Sequence, residues 1–139
     1  MKRILFTIVP LFLLAFAAVF TGPGCANIIS PSGGPRDSLP PILLSATPPD
    51  STTNFRANRI TLQFDEYIDL QEVQNNLLFT PIFETNPVVE ARLRTITIRL
   101  RDTLEPNTTY TFNFGNAVRD INENNILRDF DYTFSTGPY

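Results

Sequence analysis

The sequence predicts an all-β fold, a sandwich of about seven antiparallel strands, and three observations carry that prediction. Twelve Pro, twelve Phe and a single Met in 139 residues, with many Thr and Asn, favour strands and turns over helices, because β-branched and aromatic side chains fit a pleated surface. Short apolar stretches recur with a period of two and are separated by Pro, Gly, Asn and Asp. Leu104, Pro106, Thr108 and Tyr110 fall at every second position, the pattern of a tyrosine corner. In such a corner the phenol hydroxyl bonds back to backbone a few residues upstream and pins a turn of a β-sandwich.

The N-terminal residues stand apart from that fold. Lys2 and Arg3 precede a run from Ile4 to Phe20 that is apolar apart from Thr7 and Pro10, and Gly22 and Gly24 come just before Cys25. A charged stretch, an apolar stretch and a small-residue cleavage site make residues 1–24 a signal peptide. The run is about three residues short of the ~20 needed to span a bilayer, and Pro10 would kink it. Cys25, the only cysteine, stands at the cleavage point, and here the chain resembles a bacterial lipoprotein, whose new N-terminal cysteine is lipidated. Residues 25–41 are rich in turn formers and lack hydrophobic periodicity, so they read as a flexible tether from a membrane-bound lipid to a domain at 42–139.

Within the domain, Ile42 to Thr47 follows a double proline and reads as a first edge strand. Arg59 to Phe64 alternates cleanly, with Ile60, Leu62 and Phe64 on one face. Leu77 to Thr80 and Val88 to Arg92 are shorter and flanked by Pro81 and Pro87, which suit edges because proline cannot donate to a ladder. Leu70 to Leu78 has room for one helical turn at most. Thr95 to Leu100 repeats the clean pattern, Tyr110, Phe112 and Phe114 continue it after the corner, and Phe130, Tyr132 and Phe134 close the domain. Seven strands with turns between them give the count and spacing of an immunoglobulin-like sandwich. Its core is aromatic, since Phe112 stands where antibody domains carry a bridging cysteine.

Composition excludes several chemistries. All fourteen carboxylates and nine arginines lie beyond Cys25, so the processed chain carries 9 - 14 = -5, a balance that repels phosphate backbones and argues against nucleic acid. There is no His, and the one lysine is in the leader. A Ser-His triad and a His-ligated zinc site therefore cannot be built. Asp65, Glu66 and Asp69 are the dense carboxylate cluster, and a domain of this size has little room for the cleft that glycosidase carboxylates need. The chain reads as non-enzymatic and without a cofactor. Asp120, Asn122 and Asn124, with Asp131 at the twelfth position, resemble half of an EF-hand calcium loop. Asn125 replaces its glycine and strands replace its helices, so the reading is a turn, with no metal expected. Phe83, between two prolines, is the aromatic side chain expected to be exposed and to contact a ligand, for example by stacking on a sugar.

Cys25, then Pro31-Ser-Gly-Gly-Pro35-Arg-Asp37 and Pro40-Pro41, followed by Phe64-Asp-Glu66 and the Leu104 to Tyr110 corner, resembles the Bacteroidetes-type lipoproteins that carry an SbsA-like bacterial Ig-like domain. The resemblance implies a small β-sandwich in the cell envelope. It also implies an outer-membrane, periplasm-facing position, because no acidic residues directly follow Cys25, and candidate O-glycosylation sites at Ser38, Ser51 and Thr103, each of which follows an Asp. The expected role is a structural or protein-interaction module whose envelope partner is a protein. A surface carbohydrate-binding or adhesion module, with a glycan partner, is the alternative.

Overall fold

The computed structural model describes residues 33–138. The signal peptide, Cys25 and most of the tether lie outside the described residues. A compact unit spans Pro35–Tyr139. It opens with residues expected in the tether: the Arg36 guanidinium donates to the Glu123 carbonyl at 3.0 Å, and the Asn125 amide donates to the Asp37 carbonyl at 3.3 Å.

The strands are β1 (Leu43–Thr47), β2 (Arg59–Phe64), β3 (Ile68–Leu70), β4 (Leu78–Thr80), β5 (Val88–Arg92), β6 (Thr95–Arg99), β7 (Thr109–Asn113), β8 (Val118–Asp120) and β9 (Asp131–Ser135), with one helical turn, α1, at Val73–Asn76. They form a four-stranded sheet in the order β1-β2-β6-β5, a three-stranded sheet in the order β4-β7-β9 and a two-stranded ladder β3-β8, all antiparallel. This is an immunoglobulin-like β-sandwich, with nine strands among the described residues rather than about seven. The extra two are the three-residue strands β3 and β8, too short for an alternation to stand out in sequence.

The core lies between the inward faces. Ile60, Leu62 and Phe64 of β2 and Ile96 and Ile98 of β6 are buried from one sheet, and Tyr110, Phe112, Tyr132 and Phe134 from the other. Leu100 and Phe130 are half-buried and pack on the rim. Aromatic rings fill the interior: Tyr110 stacks on Phe134 at 5.3 Å, and Phe55 stacks on the same ring at 4.0 Å. Phe55 arrives on the segment that lies along the outer edge of β9. There the Ser51 and Phe55 amides donate to the Thr133 and Ser135 carbonyls, and the Ser135 amide donates to Thr52. One sheet edge is thereby paired and closed to association.

Phe83 corrects an expectation. It is only 7% exposed, stacked on Tyr110 at 5.2 Å and edge-on to Phe79 at 5.7 Å. Proline punctuation identifies 81–87 as a connection between sheets, and that connection folds its one aromatic side chain inward to cap the core.

Candidate interaction surface

At the corner, the Tyr110 hydroxyl accepts the Glu105 amide N–H at 3.0 Å. Thr108 donates its hydroxyl to the Pro106 carbonyl at 3.0 Å, and Leu104 packs against the core. A second lock comes from the far end of β9. Thr136, 4% exposed, donates its hydroxyl to the Glu105 carbonyl at 2.6 Å and accepts the Thr108 amide at 2.9 Å. Asn107 takes a left-handed φ of 51°, and a Cβ on Gly137 would stand 3.0 Å from its Cα. The close approach of these two segments thus requires glycine at 137. Nothing local in the sequence marks Thr136 for this task, because its partners are about thirty residues away.

The 120–125 segment is organised around one buried carboxylate. Asp120 is fully buried, whereas Asn122, Asn124 and Asp131 are exposed. One Asp120 oxygen accepts the Glu123 and Asn124 amides, and the other accepts Asn125 at 2.8 Å. Burial pushes the Asp120 carboxyl up, but the backbone donors of Glu123, Asn125, Asn124 and Asn122 outweigh it and hold the group below the usual carboxylate range. Both oxygens of the first candidate calcium ligand are thus engaged by the turn's own amides. Asp120 organises the turn's own amides, and Asn124 supplies its left-handed φ of 63°.

The carboxylates are also regrouped. Asp69 is exposed on β3, opposite Arg119 of β8, and its carboxylate bonds Gln71 at 3.3 Å. Asp65 accepts the Ile42 amide at 2.8 Å. Glu66 is pushed above its ordinary value by burial and by the charges of Asp120, Asp65, Asp37 and Glu123. The acidic cluster thus draws on the chain entry and the 120–125 turn, and Asp69 is outside it.

Cavities among the described residues include the following three. One of about 270 Å³ beside Phe83 is bordered by Glu84, Asp102, Thr103 and Glu105, with Asp102 accepting the Thr85 amide at 2.6 Å. A second, of about 400 Å³, lies between Arg56 and Pro106. The third is a groove of about 560 Å³ between β4 and β5, lined by Val73, Leu77, Leu78, Phe79, Ile82 and Val89 and by no charged side chain. None of the three is lined by Asp65, Glu66 or Asp69. β4 and β5 are edge strands of different sheets, and among the described residues no backbone bond reaches the outer side of either. Leu78 is 62% and Ile82 89% exposed on the groove's lip. Unpaired edges beside an apolar groove suit strand addition, in which main-chain bonds provide affinity and side-chain pockets provide selectivity. Ser38, Ser51 and Thr103 are exposed.

Solved structures similar to the chain include PcoC, a methionine-rich copper resistance protein from Escherichia coli, at 22% identity and a TM-score of 0.46, covering 68% of this chain and 96% of that one. The selenomethionine form of the same protein matches at 18% and 0.45, covering 68% and 98%. Comparison with the curated proteins finds no match. The model of the bacterial Ig-like domain matches residues 37–136, from the chain entry through both sheets to the Thr136 lock, and the chain belongs to that family.

Proposed function

We propose that this chain is a lipid-anchored, non-enzymatic Ig-like module of the bacterial cell envelope. In this reading Cys25 carries the lipid, residues 26–34 give reach, and the domain faces the periplasm from the outer membrane, as in Bacteroidetes-type lipoproteins with an SbsA-like domain. Its work is to hold a protein partner, and the observation that carries this is the uncharged groove between β4 and β5, each an edge strand with no hydrogen-bonded neighbour on its outer side. The partner presents an extended segment with apolar side chains, which adds to β4 or β5 and seats against Leu78 and Ile82. The carbohydrate alternative loses its principal contact, since Phe83 is packed against Tyr110.

Two measurements test the reading. Intact mass with membrane fractionation, wild type beside Cys25→Ser, should show acyl mass and membrane association lost in the variant; a soluble, unmodified wild type refutes the anchor. A photo-crosslinking residue placed at Leu78 or Ile82 in cells should yield a discrete protein adduct that the same residue at Ser45, on the opposite edge, does not. Equal adducts from all three positions refute the groove.

A further inference from the structure

Eight large apolar side chains are exposed among the described residues, and five of them, Leu39, Ile42, Tyr67, Leu93 and Ile121, share one end of the sandwich. Backbone bonds establish the grouping. Asp65 donates to the Ile42 carbonyl, Ile68 to Leu93, Phe64 to Arg94 and Ile121 to Tyr67. The Arg94 guanidinium lies over the Tyr67 ring, 5.0 Å from its centre. The chain enters the domain at this end, since Asp37 meets Asn125 and the Ile42 amide meets Asp65. The corner and the Ile82 lip lie toward the other end.

Leu93 is the most informative of the five. It forms the tip of the two-residue β5–β6 hairpin with a φ of 56° and is 64% exposed. A leucine there bears a left-handed backbone cost and an unburied side chain together, where glycine would avoid both. The two-residue turn calls for the left-handed φ, so the feature to explain is the choice of an exposed leucine, which adds apolar surface to this end.

We propose that this end of the domain seats on the lipid bilayer, with Leu93, Tyr67, Ile121, Ile42 and Leu39 resting in the headgroup region and Arg92 and Arg94 reaching phosphates above them. The proposal rests on the lipid-anchor reading. Pro35, where the compact unit begins, is ten residues after Cys25, and ten residues span at most about 35 Å, so a lipid on Cys25 keeps this end within reach of the surface and makes weak apolar contacts sufficient. Asp37, Asp65, Glu66 and Glu123 stand at the same end beside Arg36, Arg92 and Arg94, a near-balanced charge that suits a zwitterionic surface. Seated this way, the Ile82 lip of the groove, beside the corner, is held away from the membrane.

The chain has no tryptophan, so single-tryptophan variants report position cleanly. Full-length acylated Leu93→Trp, Ile121→Trp and Ile82→Trp chains, each checked for folding by circular dichroism, are reconstituted into phosphatidylcholine and phosphatidylethanolamine vesicles with brominated acyl chains. Emission at 93 and 121 should shift to the blue and fall about twofold, with that at 82 unchanged, as a side chain within about 5–10 Å of the acyl boundary requires. Phosphatidylglycerol should reduce the quenching. Unquenched emission at 93 on a chain whose mass shows acylation overturns the seating and leaves the anchor standing. A chain without acyl mass overturns both. Equal quenching at 82 overturns the orientation, and a blue shift without quenching that grows with protein density assigns this end to a second copy and overturns the lipid as its occupant.

Discussion

Tyr132→Phe separates a hydrogen bond from an ionisation at one buried site. Tyr132 is fully buried on β9, and its hydroxyl donates to the Pro48 carbonyl at 2.9 Å. Burial, with a smaller effect of the Asp50 carboxylate, pushes its phenol from 10.0 up to about 12. Removing the hydroxyl at pH 7 costs about 1 kcal/mol for the lost bond and the orphaned carbonyl. The native value is raised, so the wild type holds its full stability below pH 10 and loses it as pH rises toward 12. That loss is about 1 kcal/mol by pH 11 and about 2 by pH 12. Phenylalanine cannot ionise, so the variant escapes it. Urea unfolding of both proteins at pH 7, 9, 10, 11 and 11.5 should show the wild type ahead by about 1 kcal/mol at pH 7, with the two meeting near pH 11. Other tyrosines and the arginines are common to both chains and cancel in the difference. A gap that stays constant from pH 7 to 11.5 would refute the reasoning, since it would mean that Tyr132 ionises as easily folded as unfolded.

Thr136→Val keeps the shape but orphans the Glu105 carbonyl and the Thr108 amide, so urea unfolding should show a loss of about 2–3 kcal/mol, with Thr136→Ser restoring most of it. Phe83→Ala empties a packed aromatic site and should cost about 3–5 kcal/mol in the same assay; an unchanged midpoint would return Phe83 to the surface. Asp120→Asn removes the charge that three amides share and should cost about 3 kcal/mol at neutral pH. Because the native carboxyl lies below its ordinary range, that stability is present above the unfolded value and is lost as pH falls through the native one, so wild type and variant should converge on acidification. A gap that widens in acid would contradict the amide cage.

What the sequence makes legible and what it hides divide along the range of the forces involved. β2, β6, β7 and β9 are readable because burying one face of a strand imposes a period of two, and Ile60, Ile96, Phe112 and Phe134 each lie on the face that alternation assigns them. β3 and β8 are held by each other across about fifty residues, and three positions cannot display a period. Phe83 shows the limit of a local rule: its prolines locate a connection, and only the neighbouring Tyr110 and Phe79 decide that the ring goes inward. Asp120 shows a subtler one. In the run of Asp and Asn at 120–125, the sequence does not reveal that the first carboxylate is buried and turned on the amides of its own turn. The β4–β5 groove is the least legible feature, because it belongs to two sheets at once and exists only where their edges meet. A site of that kind follows from how the sheets close, so its occupant is to be sought in the geometry of the unpaired edges, and the strand it accepts must bring apolar side chains on alternate positions and leave its charges outside.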